Sequence, residues 1–206
     1  MTKSPTGPPT GPPTGPSTGQ TDRPPEQPRH RHRTVPNRRL TAQTLAIAVL
    51  VLIVDVVSKI IVVAKLAGRP PDRTLGGAVY LVLTRNSGAA FSFAAGATVV
   101  FSAIAAAIIV LIVRVSSRLG SRGWSVAFGL ILGGAAGNLS DRLFRAPGPL
   151  RGAVVDWLSL FSSDGTGWAI FNLADAAIVG GGVLAVLLMF LGVEFTGGRS
   201  GRASSD

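Results

Sequence analysis

QTLAIAVLVLIVDVVSKIIVVAKL, residues 43–66, is the stretch on which the fold turns. Apart from Asp55, Lys59 and Lys65 it carries no charge, and most of it is Val, Ile, Leu or Ala. Crossing a hydrocarbon core of ~30 Å at 1.5 Å per residue takes about 20 residues, so this run is long enough. Backbone groups in lipid must be satisfied within the segment, which makes it a helix. Working outward, three more apolar runs follow at about 97–115, 124–140 and 173–193. The third is short and rich in small residues (Gly133, Gly134, Ala135, Ala136, Gly137), a composition that lets helices approach closely. Between the runs, LGGAVYLVLT at 75–84 and AVVDWL at 153–158 are β-branched and too short to span, so they read as strands. The expected fold is an all-α polytopic membrane protein: four transmembrane helices with a small extracytoplasmic β element.

Composition divides the 206 residues near position 40. Residues 1–40 hold ten of the 14 prolines and seven of the 20 Lys and Arg, with almost no large apolar side chains. Their SPTGPPTGPPTGPSTG repeat lacks backbone donors at proline and chain stiffness at glycine, so a disordered basic tail is expected. Residues 41–195 form the membrane domain and 196–206 a second short tail. The N-terminal tail, the 114–123 turn and the C-terminal tail together carry twelve Lys and Arg, against seven in the segments 67–96 and 141–172 and their edges. The excess puts both termini in the cytoplasm and the strand-bearing segments outside.

Several chemistries are excluded. There is no cysteine, hence no disulfide, thiol nucleophile or Cys-zinc site. The two histidines, His30 and His32, lie in the polar tail, away from the apolar helices. The formal charge of +10 flanks apolar runs and is not interleaved with aromatics, which argues against nucleic acid as a partner. Two carboxylates without His or Cys make a poor zinc site, so neither metal nor cofactor is expected.

Charges inside apolar runs point to function by default. Asp55 and Lys59 are spaced i,i+4 on one face, acid first, and read mainly as a self-neutralised structural pair. In GNLSDR (137–142), Asn138, Asp141 and Arg142 share a face if the helix continues; they close the helix end or touch substrate. The third cluster carries most weight. VVDW places Asp156 in a strand-like run, and FNLAD places Asp175 in the first turns of the last helix. Two carboxyls held together in low dielectric cannot both ionise cheaply and share a proton. One can then activate water while the other protonates a carbonyl, as in aspartic proteases. Spacing alone leaves open that Asp175 caps the helix and Asp156 pairs with an arginine.

Taken together, the motifs D-V-V-S-K (55–59), N-S-G-A-A-F (86–91), G-N-L-S-D-R (137–142), V-V-D-W (154–157) and F-N-L-A-D (171–175) resemble those of lipoprotein signal peptidases, the signal peptidase II family, in the family's order. The likeness covers about residues 45–192. It implies four transmembrane helices with a β-cradle, and Asp156 and Asp175 as the catalytic pair. It further implies that Asn86, Gly88, Asn138, Arg142 and Asn172 contact substrate or support the pair, while Asp55, Lys59 and Asp141 are structural. The implied substrates are prolipoproteins, cut just before a diacylglyceryl-modified cysteine at the outer face of the bacterial inner membrane. Membrane lipids are the other partner, and a monomer is favoured. Trp157 stands where the family commonly has phenylalanine, the loop RAPGPLRGA (145–153) is longer than in many members, and the proline-rich tail has no counterpart.

Two other classes are weighed against this reading. A small proton-coupled transporter would use Asp55, Lys59, Asp141 and Asp175 as relay groups, although no broken-helix repeat is visible. A non-enzymatic membrane scaffold would tolerate alanine at its buried polar positions. A serine/lysine peptidase is disfavoured because Ser58 and Lys59 are adjacent and point to different helix faces.

Overall fold

The computed structural model describes Gly7, Gly11, residues 37–87 and residues 94–197. The rest of the tail through residue 36, residues 88–93 with Gly88 among them, and the C-terminal tail beyond Gly197 lie outside the described residues. The architecture below belongs to the unit that begins at Thr34.

Among the described residues there are four long helices: α1 (Arg38–Leu66), α2 (Ala94–Ser116), α3 (Arg122–Phe144) and α4 (Leu173–Phe190). Helix α1 begins a few residues before the expected apolar run, because Asn37 caps it by accepting the Leu40 N–H at 3.4 Å. Its buried residues, Leu40, Thr44, Ala48, Asp55, Lys59, Val62 and Leu66, recur in steps of three, four and seven and form one stripe. Leu50, Ile53, Val54, Val57, Ile60 and Ile61 are exposed on the other side. Polar-in, apolar-out is the pattern of a helix whose solvent is lipid. Helices α1 and α4, and residues Thr98–Ser116 of α2, are long and apolar enough to cross a membrane.

Helix α3 stands at the centre, packed on α1, α2 and α4. It is less apolar than its neighbours because it meets protein on most sides. The Gly/Ala run serves this position. A Cβ at Gly133 would fall 2.6 Å from the Ala48 carbonyl, and one at Gly137 would fall 2.5 Å from Asp55 Oδ2. A side chain at either place forces its neighbour to move. The helix also runs on to Phe144, past the expected exit near 140, so the whole GNLSDR cluster is helical.

Lipid supplies little hydrophobic drive between helices, so close packing and interhelical hydrogen bonds carry association, each bond contributing about 0.6–2 kcal/mol. At the end of the bundle away from the sheet, Thr44 and Ser125 share a 3.0 Å hydrogen bond, and Ser125 also donates to the Leu40 carbonyl. There Trp124 packs with Leu40 and Leu119 and donates its indole N–H to the Val193 carbonyl at 2.7 Å.

The other end carries an antiparallel sheet in the order β1 (Asp72–Thr74), β2 (Val79–Asn86), β3 (Val154–Leu160). A 3-10 turn over Leu75–Gly77 joins β1 to β2, with Gly76 and Gly77 both at positive φ, as a tight turn requires. The run expected at 75–84 is therefore a turn followed by a strand, and β3 extends two residues beyond the expected 158.

Candidate active site

Strand β3 presents Asp156. Its register on β2 shifts between Leu81 and Thr84, after which Thr84 faces Asp156 and Asn86 faces Val154. Asn86 thus sits diagonally from Asp156 on the same sheet face, within reach across strands. Its amide Nδ2 donates to Asp156 Oδ2 at 3.0 Å.

The start of α4 is tied to this strand. Phe171 bridges Leu158, exchanging hydrogen bonds of 2.8 and 2.9 Å with its main chain. The next residue, Asn172, caps α4. Its Oδ1 accepts the Asp175 N–H at 2.9 Å, and Asp175 Oδ2 accepts the Asn172 N–H at 3.3 Å, which makes a capping box. Asp175 therefore does cap, as its spacing allowed, but with one oxygen. The other, Oδ1, accepts from Asn138 Nδ2 at 2.7 Å.

Two amides connect the carboxylates. Asn172 Nδ2 donates to Asp156 Oδ1 at 2.6 Å and to Asn138 Oδ1 at 3.1 Å. Asn138 passes the chain on to Asp175. Asp156, Asn172 and Asn138 are all buried. Asp156, for which an arginine partner was open on spacing alone, is held by Asn86 and Asn172.

Burial pushes the Asp156 carboxyl up to about 6, because a charged carboxylate loses its water there. Hydrogen bonds from Asn86 and Asn172 and the charge of Lys59 oppose the rise, while the negative charge of Asp175 adds to it. A carboxyl that titrates near neutrality beside a second carboxylate can hold or release a proton at ordinary pH, which is what acid–base chemistry requires.

Asp55 and Lys59 form the ion pair their spacing indicated, at 2.7 Å, and Asp141 joins it at 3.0 Å. The arginine that pairs with Asp141 is Arg145, four residues on, rather than its neighbour Arg142. Adjacent residues on a helix point about 100° apart, so Asp141 and Arg142 face different ways. Arg142 donates to the Asn138 carbonyl at 3.2 Å, lies 6.0 Å from the centre of the Phe101 ring, and stays within electrostatic reach of Asp175 and Asp156. Phe101 carried no signal in the sequence beyond its place in an apolar run. Arg145 did, through its i,i+4 spacing from Asp141. Of the residues singled out from the sequence, Asp156, Asp175, Asn86, Asn138 and Asn172 come together directly, Arg142 borders them, and Gly88 is outside the described residues.

The chain is similar to known proteins over most of this unit. A family model described as signal peptidase (SPase) II matches residues 47–191. A lipoprotein signal peptidase of Streptomyces coelicolor is 46% identical over 157 residues, 76% of this chain and 74% of that protein. One from Mycobacterium tuberculosis is 48% identical over 160 residues, 78% of this chain and 76% of that protein. One from Mycobacterium avium is 46% identical over 172 residues, 83% and 91% of the two chains. A solved structure described as a bacterial membrane enzyme, determined by the in meso method, superposes with a TM-score of 0.62 at 28% identity, covering 72% of this chain and 92% of its own.

Proposed function

The chain belongs to the signal peptidase II family, and we propose that it cleaves signal peptides from diacylglyceryl-modified prolipoproteins by an aspartic mechanism, just before the lipidated cysteine. It is an integral membrane peptidase, and the curated relatives are named for lipoprotein signal peptides. The observation that carries the mechanistic reading is the amide chain Asp156–Asn172–Asn138–Asp175, which joins two carboxylates from separate elements in a buried site.

In this reading a water lies between the two carboxyls. The ionised one takes a proton from the water as its oxygen attacks the scissile carbonyl carbon. The protonated one gives its proton to the carbonyl oxygen, and a gem-diol results. Collapse of the diol breaks the C–N bond: one carboxyl gives its proton to the leaving amine, the other carboxylate takes a hydroxyl proton of the diol as the C=O re-forms, and the pair again holds one proton. Which residue starts protonated belongs to the coupled pair rather than to either member. Asn86, Asn138 and Asn172 hold the acids in place. Arg142 supplies a positive charge at the edge for substrate carbonyls or for negative charge that develops there.

The topology that goes with this reading has four spans, α3 being the central one, with both termini cytoplasmic and the sheet at the outer surface. The substrate's apolar signal helix then lies among the helices, and its cleavage site reaches the level of the sheet. The buried polar residues speak against a transporter: Asp55 and Lys59 are fully buried and occupied with each other and with neighbours. The test is Asp156→Asn and Asp175→Asn in membranes supplied with lipid-modified prolipoprotein. Both abolish cleavage if the pair is catalytic, and wild-type cleavage by either one removes the aspartic assignment.

A further inference from the structure

We infer that Lys59, together with Asp55 and Asp141, is a positioning unit for the aspartate pair. One ammonium group in α1 governs the placement of both chain segments that carry the aspartates and the orientation of the amide between them. This rests on the aspartic reading above.

A lysine ammonium has three donors and no acceptor. Lys59 Nζ forms ion pairs with Asp55 Oδ2 at 2.7 Å and Asp141 Oδ2 at 3.0 Å, and donates a hydrogen bond to Asn138 Oδ1 at 3.2 Å. Lys59 and Asp55 are 0% exposed, so water does not compete. Each carboxylate partner has a second bond, and the two correspond. Asp55 Oδ1 accepts the N–H of Ala174 at 3.0 Å, the residue just before Asp175. Asp141 Oδ2 accepts the N–H of Val155 at 3.1 Å, the residue just before Asp156. The ammonium therefore links, through one carboxylate each, the main chain next to both members of the pair.

Its hydrogen bond to Asn138 acts on the amide chain. Because lysine only donates, Asn138 must turn its oxygen toward Lys59, and its NH2 then points to Asp175. That same oxygen accepts from Asn172, whose own orientation is set by the α4 cap. A flipped Asn138 would set its NH2 against the ammonium and against the Asn172 NH2, with its oxygen against the Asp175 carboxylate. The whole row of donors and acceptors between the aspartates takes its direction from Lys59 at one end and from the helix cap at the other. A buried ion pair is weak evidence for a stabilising role, since apolar residues of the same size often serve as well. The two correspondingly placed bonds and the forced amide are what an apolar pair cannot supply.

The test uses the full-length protein in detergent micelles with a diacylglyceryl-modified prolipoprotein, initial rates being followed from pH 5 to 8. Asp55→Asn/Lys59→Met removes the ammonium without stranding a charge in α1, and Asp141 keeps Arg145. The expected result is a kcat lower by about ten- to a hundredfold, the scale of a misplaced catalytic group, with KM within about twofold. The limb of the pH profile belonging to the pair moves to higher pH. The charges facing Asp156 are Lys59 from α1, Arg142 from α3 and Asp175 from α4, while β2 offers the neutral Asn86; losing Lys59 leaves the ionised form less favoured. Thr44→Val/Ser125→Ala, a buried polar pair on the same two helices at the far end, should lower the melting temperature and leave kcat and the limb in place. Should the double variant at 55 and 59 not accumulate, Asp141→Asn carries the test, with a fall in kcat of at least fivefold expected. Full kcat with an unmoved limb in either variant overturns the positioning role, as does an equal loss of kcat in the Thr44/Ser125 variant. Asp156→Asn in the same assay separates the two readings: if it cleaves normally, the aspartic mechanism falls and this proposal with it.

Discussion

Replacing Asn172 by serine and by alanine separates the two tasks of one buried amide. As a cap, its oxygen accepts the Asp175 N–H; as a link, its NH2 donates to Asp156 at 2.6 Å and to Asn138 at 3.1 Å. Serine caps a helix about as well as asparagine, and alanine does not, a difference of about 1 kcal/mol. Both lose the link. A hydrogen bond to a charged group contributes about 1.5–3 kcal/mol. If it is spent in the transition state, at about 1.4 kcal/mol per tenfold, its loss lowers kcat by roughly ten- to a hundredfold. The bond also opposes the rise of the Asp156 carboxyl, so its removal pushes that group higher still. The expected pattern is therefore an equal loss of rate in the two variants, an equal upward shift of the pH limb, and a larger loss of stability for alanine alone. Rates come from prolipoprotein cleavage, and stability from thermal unfolding in the same detergent. An Asn172→Ser enzyme with wild-type rate and an unmoved limb would show that the amide link is not part of the chemistry.

The remaining predictions address electrostatics and packing. The rate of cleavage should decline above an apparent pKa near 6, as the pair loses its shared proton; a rate that stays flat from pH 5 to 8 contradicts this. The folded-state value of Asp156 lies above its ordinary 3.8, so the native protein binds the proton more tightly. Stability is therefore lost as pH rises from about 4 to about 6, by on the order of 3 kcal/mol, and Asp156→Asn should lack this component in melting curves taken across that window. Gly137→Ala places a methyl group 2.5 Å from Asp55 Oδ2 and should cost about 1–3 kcal/mol in thermal unfolding, with a loss of cleavage because Asp55 must move. Trp124→Phe loses the 2.7 Å bond to the Val193 carbonyl; about 1 kcal/mol of stability should go while cleavage is unchanged.

Apolar runs and short β-branched segments were legible because hydrophobic burial in lipid or protein leaves a periodic mark. Runs at 43–66, 97–115 and 173–193 correspond to α1, α2 and α4. The end of α3 was less legible. Asn138, Asp141 and Arg142 look like an exit from lipid, but each finds a partner inside the bundle, so the helix continues to Phe144. The segment 75–84 reads as one or two strands, but its first three residues form the turn that joins β1 to β2; a glycine pair marks a turn only once the strands it joins are known to pair.

Composition and local order settle which groups this chain can use: carboxylates and amides near the ends of apolar helices, with no thiol and no histidine among those helices. They are properties of short segments and are written in the residues themselves. Which atom meets which is a different matter. Asp55 and Ala174 are 119 positions apart, and Lys59 and Asn138 are 79 apart. Asp141 takes Arg145 over Arg142, and Asp156 is held by Asn86 and Asn172. Such choices arise only when four helices and a sheet close on one another, because the direction of a hydrogen bond depends on every neighbour that competes for the same donor.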